Sequence, residues 1–248
     1  MSDDAIPAAT LILVRERDGA PPELLMVERA PGMAFAGGAL VFPGGRIDEA
    51  DVVLGARFPG DDAAARIAAI RETVEETAVP VGLAPLPSVE TVRALQGQLE
   101  AEKDFASLLS NARVELELDA LTPFARWVPR FHARRRFDTL FFVARAPEGD
   151  WIPNAIEREC TGAYWISAAE VLERDRQGTA QLIFPTRRTL ERLAQHDSFD
   201  GIVADANAHT IEPISPWVEE KDGERFITIP ENIGFRVTRE KLDGLWRG

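Results

Sequence analysis

The chain has 248 residues, 45% hydrophobic and 28% charged, enough to bury a sizeable core in one large domain or two small ones. Its formal charge of −13 works against nucleic-acid binding, so an anionic small molecule would need a local cation cluster or a metal ion. No apolar run approaches the roughly 18 residues of a membrane-spanning helix, and MSDDAIPAAT lacks a basic region before an apolar one, so the expectation is a cytoplasmic protein without membrane or nucleic-acid partners.

In chain order, TLILVRER and PELLMVERA read as two strands joined by the turn-forming DGAPP. VFPGG follows, with a Pro-Gly-Gly that reads as a tight turn, then a spacer that runs to Asp61 and Asp62, either of which can cap a helix. From Ala63 the apolar positions recur at helical spacing as far as Val79, and Pro80 ends the segment. A mostly helical insert over about residues 85–121 can start at Ser88, with Val92, Leu95 and Leu99 on one face. FARWV, FDTLFFVAR and AYWIS read as strands, the second apolar enough to be central. Ser167 with Glu170 forms a capping box before a helix that Gly178 can end, and Thr186 opens another. The tail ISPWVEEKDGERFITIP reads as a hairpin around Lys-Asp-Gly. Alternating strands and helices give an α/β or α+β fold, and no linker or repeat forces a division of the chain.

The helix from Ala63 carries an unusual cluster. With Glu72 at zero on a wheel of about 100° per residue, Glu76 falls at about 40° and Glu75 at about 300°. Ala63, Ile67, Ile70 and Val74 fall between about 160° and 220°, on the opposite face. Like charges three and four apart cost an isolated helix about 0.2–0.5 kcal/mol per pair. From the helix alone two readings stand: a solvated glutamate face, or a hard-oxygen site for Mg²⁺ or Mn²⁺, metals that also take substrate phosphate oxygens. Arg71, four residues before Glu75, can pair with it and orient it. Gly44 and Gly45 would let backbone approach a metal or phosphate closely.

These residues resemble the Nudix hydrolases, whose box is GX5EX7REUXEEXGU with U an aliphatic residue. Gly45 opens the match, Asp51 stands at the first glutamate, Arg71-Glu72 and Glu75-Glu76 supply RE and EE, and Val79 closes it. Thr73 replaces an aliphatic residue and Ala78 the last glycine. Nineteen residues separate Asp51 from Arg71, twelve more than the box allows, an excess read as loop that loop-closure entropy tolerates. Residues 25–45 also resemble the LLTXR(S/A)X3RX3GX3FPGG segment of coenzyme A diphosphatases, agreeing at Leu25, Arg29, Ala30, Gly38 and Phe42 to Gly45 but carrying Ala34 where that segment has arginine. LTPFARWV, RRRFDTLFFVA and FPTRRTLERLA extend the similarity to the long, coenzyme A-cleaving branch across most of the chain.

The resemblance implies an α/β/α sandwich on a mixed sheet, taken as a single Nudix domain over residues 1–248. Its box spans residues 45–79, and a C-terminal extension begins near residue 180. It implies metal-dependent hydrolysis of a diphosphate linkage, with Glu72, Glu75, Glu76 and the Gly45 carbonyl as metal ligands. The general base would be Glu72, or Glu157 or Glu159, which otherwise read as exposed loop charges; Asp51 would cap or brace the loop. Arg29 and Gly44 would meet substrate. Arg135 and Arg136, in a basic run interleaved with Phe131 and Phe137, suit either a phosphate-binding site or a solvated turn. The substrate expected is coenzyme A or an acyl-CoA, giving 3′,5′-ADP and (acyl-)4′-phosphopantetheine. The alternatives are ADP-ribose, a dinucleotide or another nucleoside diphosphate derivative, or a non-catalytic nucleotide-binding domain. Homodimers occur in such folds, but no sequence feature marks an interface. His196 and His209 lack a nucleophile at any recognisable spacing, and neither a GxGxxG nor a Walker loop occurs. Cys160, the lone cysteine, is expected to be a small buried hydrophobe.

Overall fold

The computed structural model describes residues 5–32, 36–101, 103–129, 136–156 and 160–242. Strands β1 (Ile6–Arg15) and β2 (Glu23–Arg29) form the expected hairpin. β3 (Leu40–Val41) and β4 (Gly44–Arg46) follow, then helices α1 (Glu49–Gly55) and α2 (Ala63–Thr77). The insert comprises β5 (Leu83–Ala84), α3 (Val89–Glu100), α4 (Phe105–Ala112) and β6 (Glu115–Leu116). β7 (Thr122–Trp127), β8 (Phe137–Arg145) and β9 (Cys160–Ser167) complete most of the sheet. α5 (Ala168–Arg176), α6 (Phe184–Leu193) and α7 (Phe199–Asn207) come next. The chain then runs through β10 (Pro213–Ile214), β11 (Trp217–Lys221), β12 (Glu224–Thr228) and β13 (Arg239–Lys241).

Among the described residues the main sheet is mixed, in the order β10-β7-β8-β1-β2-β3, with β4 on β1 and β9 on β2. β1 runs parallel to β8 and antiparallel to β2 and β4. It is buried on both faces: Leu11 and Leu13 join one core cluster, and Ile12 and Val14 the other. That accounts for its near-continuous apolar run, since a strand covered on both sides has no polar face to alternate. The first cluster lies against α2, α3 and α4, the second against α5, α6, α7 and the small sheet β11-β12-β13. The result is the mixed α/β sandwich that the resemblance implies.

Several local expectations change. The spacer between the two halves of the box is not all loop, because residues 49–55 form α1, opened by Asp48, whose N–H donates to the Asp51 carboxylate at 2.9 Å. The Pro-Gly-Gly turn runs on into β4, whose Gly45 lies opposite Ala9 of β1. Asp62 precedes α2 but does not cap it through its side chain; it pairs with Arg66 at 2.8 Å. α6 begins at Phe184, two residues before Thr186, because Pro185 fits the first turn, where no N–H is needed. Residues 199–207, read as no element, form α7 behind a Ser198 cap.

Candidate active site

α2 begins with alanines and has neither proline nor a β-branched run before Thr73. Ile67, Ile70 and Val74 are fully buried, each contributing about 1.5–3 kcal/mol through burial, so the face placed toward the sheet does face it. The opposite face is not a wet glutamate face. Glu76 is 6% exposed, and the Glu72 and Glu75 side chains are 14% and 30% exposed. Glu72 and Glu76 lie against β4.

That packing needs the glycines. A Cβ on Gly44 would sit 2.7 Å from Thr10 Cα and press into the Ala9 carbonyl, and a Cβ on Gly45 would run into the Glu72 carboxylate. With the space clear, Gly44 N–H donates to Glu76 Oε2 at 3.0 Å. The sulfur of Cys160 lies 3.9 Å from the other oxygen, Oε1. Cys160 is buried as expected, yet it packs against a carboxylate rather than filling apolar space.

Arg71 organises the other carboxylates. Its Nε and Nη2 bind Asp51 Oδ1 and Oδ2 at 3.0 and 2.8 Å, its Nη2 also reaches the Arg46 carbonyl at 3.0 Å, and its Nη1 meets Glu72 at 2.9 Å. The expected i,i+4 partner Glu75 is the loosest contact, at 3.5 Å. The dominant partner is Asp51, 1% exposed, so the residue that stands at the first glutamate of the box braces α1 against α2 by a two-pronged pair. Burial works against the Arg71 charge, but the hydrogen bonds to Asp51 and the attraction of Glu72 outweigh it and push its pKa up. Burial pushes Glu72 the other way for an acid, to about 7, with Arg71 opposing and Glu75 repulsion adding to the rise.

The two box positions that depart in type are accommodated. Thr73 is fully buried, and its hydroxyl donates to the Ala69 carbonyl at 2.7 Å. Ala78 takes the left-handed conformation, φ 51°, that the box normally gives to glycine. Of the substrate candidates, Arg29 ends β2 opposite Cys160, which brings it to the Glu76 side of the site. Arg136 precedes β8, where its carbonyl accepts from Ile6 N–H at 2.8 Å, next to the strand that pairs with the box turn. Arg135, Glu157 and Glu159 lie outside the described residues. A cavity of about 660 Å³ with Glu28, Tyr164, Arg174, Asp175 and Arg187 in its wall takes its apolar lining from the second core cluster and shares no residue with the carboxylates.

The NUDIX domain family matches residues 5–119. The chain carries a Nudix domain. β7, β8 and β9 join the domain's sheet from beyond that match. A curated relative, putative nudix hydrolase 7 of Caenorhabditis elegans, is 26% identical over 208 residues, covering 83% of this chain and 66%, just under two thirds, of the relative. A crystal structure of a NUDIX hydrolase from Alicyclobacillus acidocaldarius superposes with a TM-score of 0.70 at 26% identity, covering 86% of this chain and 99% of that one. The domain match and these relatives make the chain similar to Nudix-type hydrolases.

Nudix hydrolases generally use divalent cations. Among the described residues no three Asp, Glu, His or Cys side chains already converge into a finished metal centre, and Arg71 leans on two of the carboxylates instead. The donor chemistry nevertheless fits such an ion. The Glu72, Glu75 and Glu76 carboxylates offer hard oxygens, and Gly44 and Gly45 pack on Glu76 and Glu72.

Proposed function

We propose that the chain hydrolyses a diphosphate linkage with Mg²⁺ or Mn²⁺ and that its substrate is coenzyme A or an acyl-CoA, released as 3′,5′-ADP and (acyl-)4′-phosphopantetheine. The observation that carries the chemistry is the packing of Gly44 and Gly45 on Glu76 and Glu72, with Arg71 locked by Asp51 beside them. Glu72, Glu75, Glu76 and the Gly45 carbonyl would hold the metal, which when bound supplies charge neutralisation and water activation. Gly44 N–H and Cys160 restrain the Glu76 carboxylate, and Arg71 restrains Glu72 while balancing part of the cluster's charge. Glu72, or a carboxylate at 157 or 159, would accept the proton from the attacking water. The coenzyme A preference rests on the register of residues 25–45 and on the position of Arg29 beside the Glu76 end. Arg135 and Arg136 would take the 3′-phosphate through their planar, multidentate guanidinium groups.

The deciding experiment incubates the protein with Mg²⁺ or Mn²⁺ and coenzyme A, acyl-CoA, ADP-ribose, NADH and nucleoside triphosphates, alongside Glu76→Gln. The expected result is 3′,5′-ADP from coenzyme A or acyl-CoA and a loss of about 10²–10³-fold in the variant. No cleavage of any compound, or equal rates in the variant, overturns the reading. Cleavage of ADP-ribose with coenzyme A untouched overturns the substrate. Comparing coenzyme A with its 3′-dephospho form in Arg135→Ala and Arg136→Ala checks the basic run, and unchanged discrimination removes both residues from the phosphate site.

A further inference from the structure

The last turn of α2 carries Glu75 and Glu76, and the last carbonyls of a helix have no donor within the helix. Two of them are met from outside. Gln96 Nε2 donates to the Glu75 carbonyl at 3.0 Å, and Asn154 N–H donates to the Thr77 carbonyl at 2.7 Å. The two residues also hold each other: Gln96 Nε2 donates to the Asn154 carbonyl at 2.7 Å, and Asn154 Nδ2 donates to Gln96 Oε1 at 2.8 Å. Gln96 projects from α3 of the insert and is 2% exposed. Its amide nitrogen faces two carbonyls, which can only accept, so one orientation of the side chain satisfies every partner. A buried amide this fully engaged is costly to disturb.

We propose that Gln96 and Asn154 are positioning residues for the carboxylate turn. Through them the insert fixes the backbone of Glu75 and holds Asn154 against the last turn of α2, beside Thr77. The inference rests on the diphosphatase reading of the same site and adds that the insert is part of its machinery. A displacement of about 1 Å in that turn would move both carboxylates out of register, an error that costs about 10²-fold in comparable sites.

The test uses the full chain with Gln96→Met, which keeps length and flexibility but no amide, and Asn154→Ala, which keeps the backbone donor and removes Nδ2. Ser88→Ala is the control: Ser88 Oγ accepts from Thr91 N–H at the start of the same helix, so its loss weakens the insert without touching the clamp. Mn²⁺ binding is measured by electron paramagnetic resonance without substrate, and kcat and KM on the cleaved diphosphate, at a temperature where near-ultraviolet circular dichroism shows each variant folded. Gln96→Met and Asn154→Ala should weaken Mn²⁺ binding and lower kcat by about 10-fold or more, with KM little changed. Ser88→Ala should lower the melting temperature alone. Wild-type-like Mn²⁺ binding and kcat in both clamp variants, or equal losses in Ser88→Ala, overturn the clamp while leaving the function standing. A wild-type protein that binds no Mn²⁺ and cleaves nothing overturns the function and the clamp with it.

Discussion

The Asp51–Arg71 pair gives the sharpest test of how the box is assembled. Replacing Asp51 by Asn keeps its volume, but its Nδ2 would then face a guanidinium that can only donate, so one of the two hydrogen bonds of 3.0 and 2.8 Å would be lost along with the charge. Breaking a buried ion pair from one side costs about 3–5 kcal/mol, because the remaining charge stays buried. Arg71 would still hold Glu72 at 2.9 Å and the Arg46 carbonyl at 3.0 Å, so the lower end, about 3 kcal/mol, is expected. Asp51→Glu restores the family's residue yet should also destabilise, by about 1 kcal/mol. Asp51 is 1% exposed and already two-pronged, and an added methylene has nowhere to go. Urea unfolding followed by circular dichroism measures both. A loss below about 1 kcal/mol in Asp51→Asn, or a gain in Asp51→Glu, would refute the idea that α1 carries a shorter acid to the same arginine.

Other expectations follow from single contacts. Gly45→Ala should leave the fold cooperative but cut diphosphatase activity by about 10²-fold, because the added methyl displaces the Glu72 carboxylate; steady-state rates at saturating metal check it. Thr73→Val should change stability by less than about 1 kcal/mol in urea unfolding, since the Thr73 hydroxyl only shares a helix carbonyl that is otherwise bonded. Arg192→Leu should cost about 3 kcal/mol, again by urea unfolding. Arg192 is 2% exposed and bonds Asp205 at 2.6 Å and the Phe124 carbonyl at 3.2 Å.

What was legible in the sequence was whatever depends on local pattern. The β1–β2 hairpin, α2 and its apolar face, the Ser88 and Ser167 caps and the C-terminal hairpin all follow from periodicity or turn chemistry within a few residues. α1 escaped notice because seven residues of mixed polarity, set between a glycine turn and the Phe-Pro-Gly-Asp-Asp stretch, carry too little periodicity to separate from loop. α7 contains Gly201 and three aspartate or asparagine residues, poor helix formers held by Ser198 and by packing of Ile202 and Ala206 on the sheet. The carboxylate cluster was legible through the wheel, but its burial was not, because the strand packed against it, β4, comes some thirty residues earlier. The strongest partner of Arg71 lies 20 positions away, while the pattern rule offered Glu75 at four. Gln96 reads as an ordinary polar residue of α3, and only its placement over a helix end in space gives it a task.

The two features that lengthen this chain beyond the box's own spacing act on the carboxylate segment from opposite ends. Part of the spacer folds into α1, whose third residue, Asp51, fastens Arg71 at the start of the segment, and Arg71 in turn holds Glu72. The insert supplies α3, whose Gln96 fastens the Glu75 carbonyl in the last turn. Between these points β4 lays Gly44 and Gly45 across Glu76 and Glu72. A helix carrying three nearby glutamates is under electrostatic tension along its last turns, and its own hydrogen bonds end there. Restraint at both ends and from above holds such a turn in place against that repulsion, so α1 and α3 each answer part of the charge the helix carries.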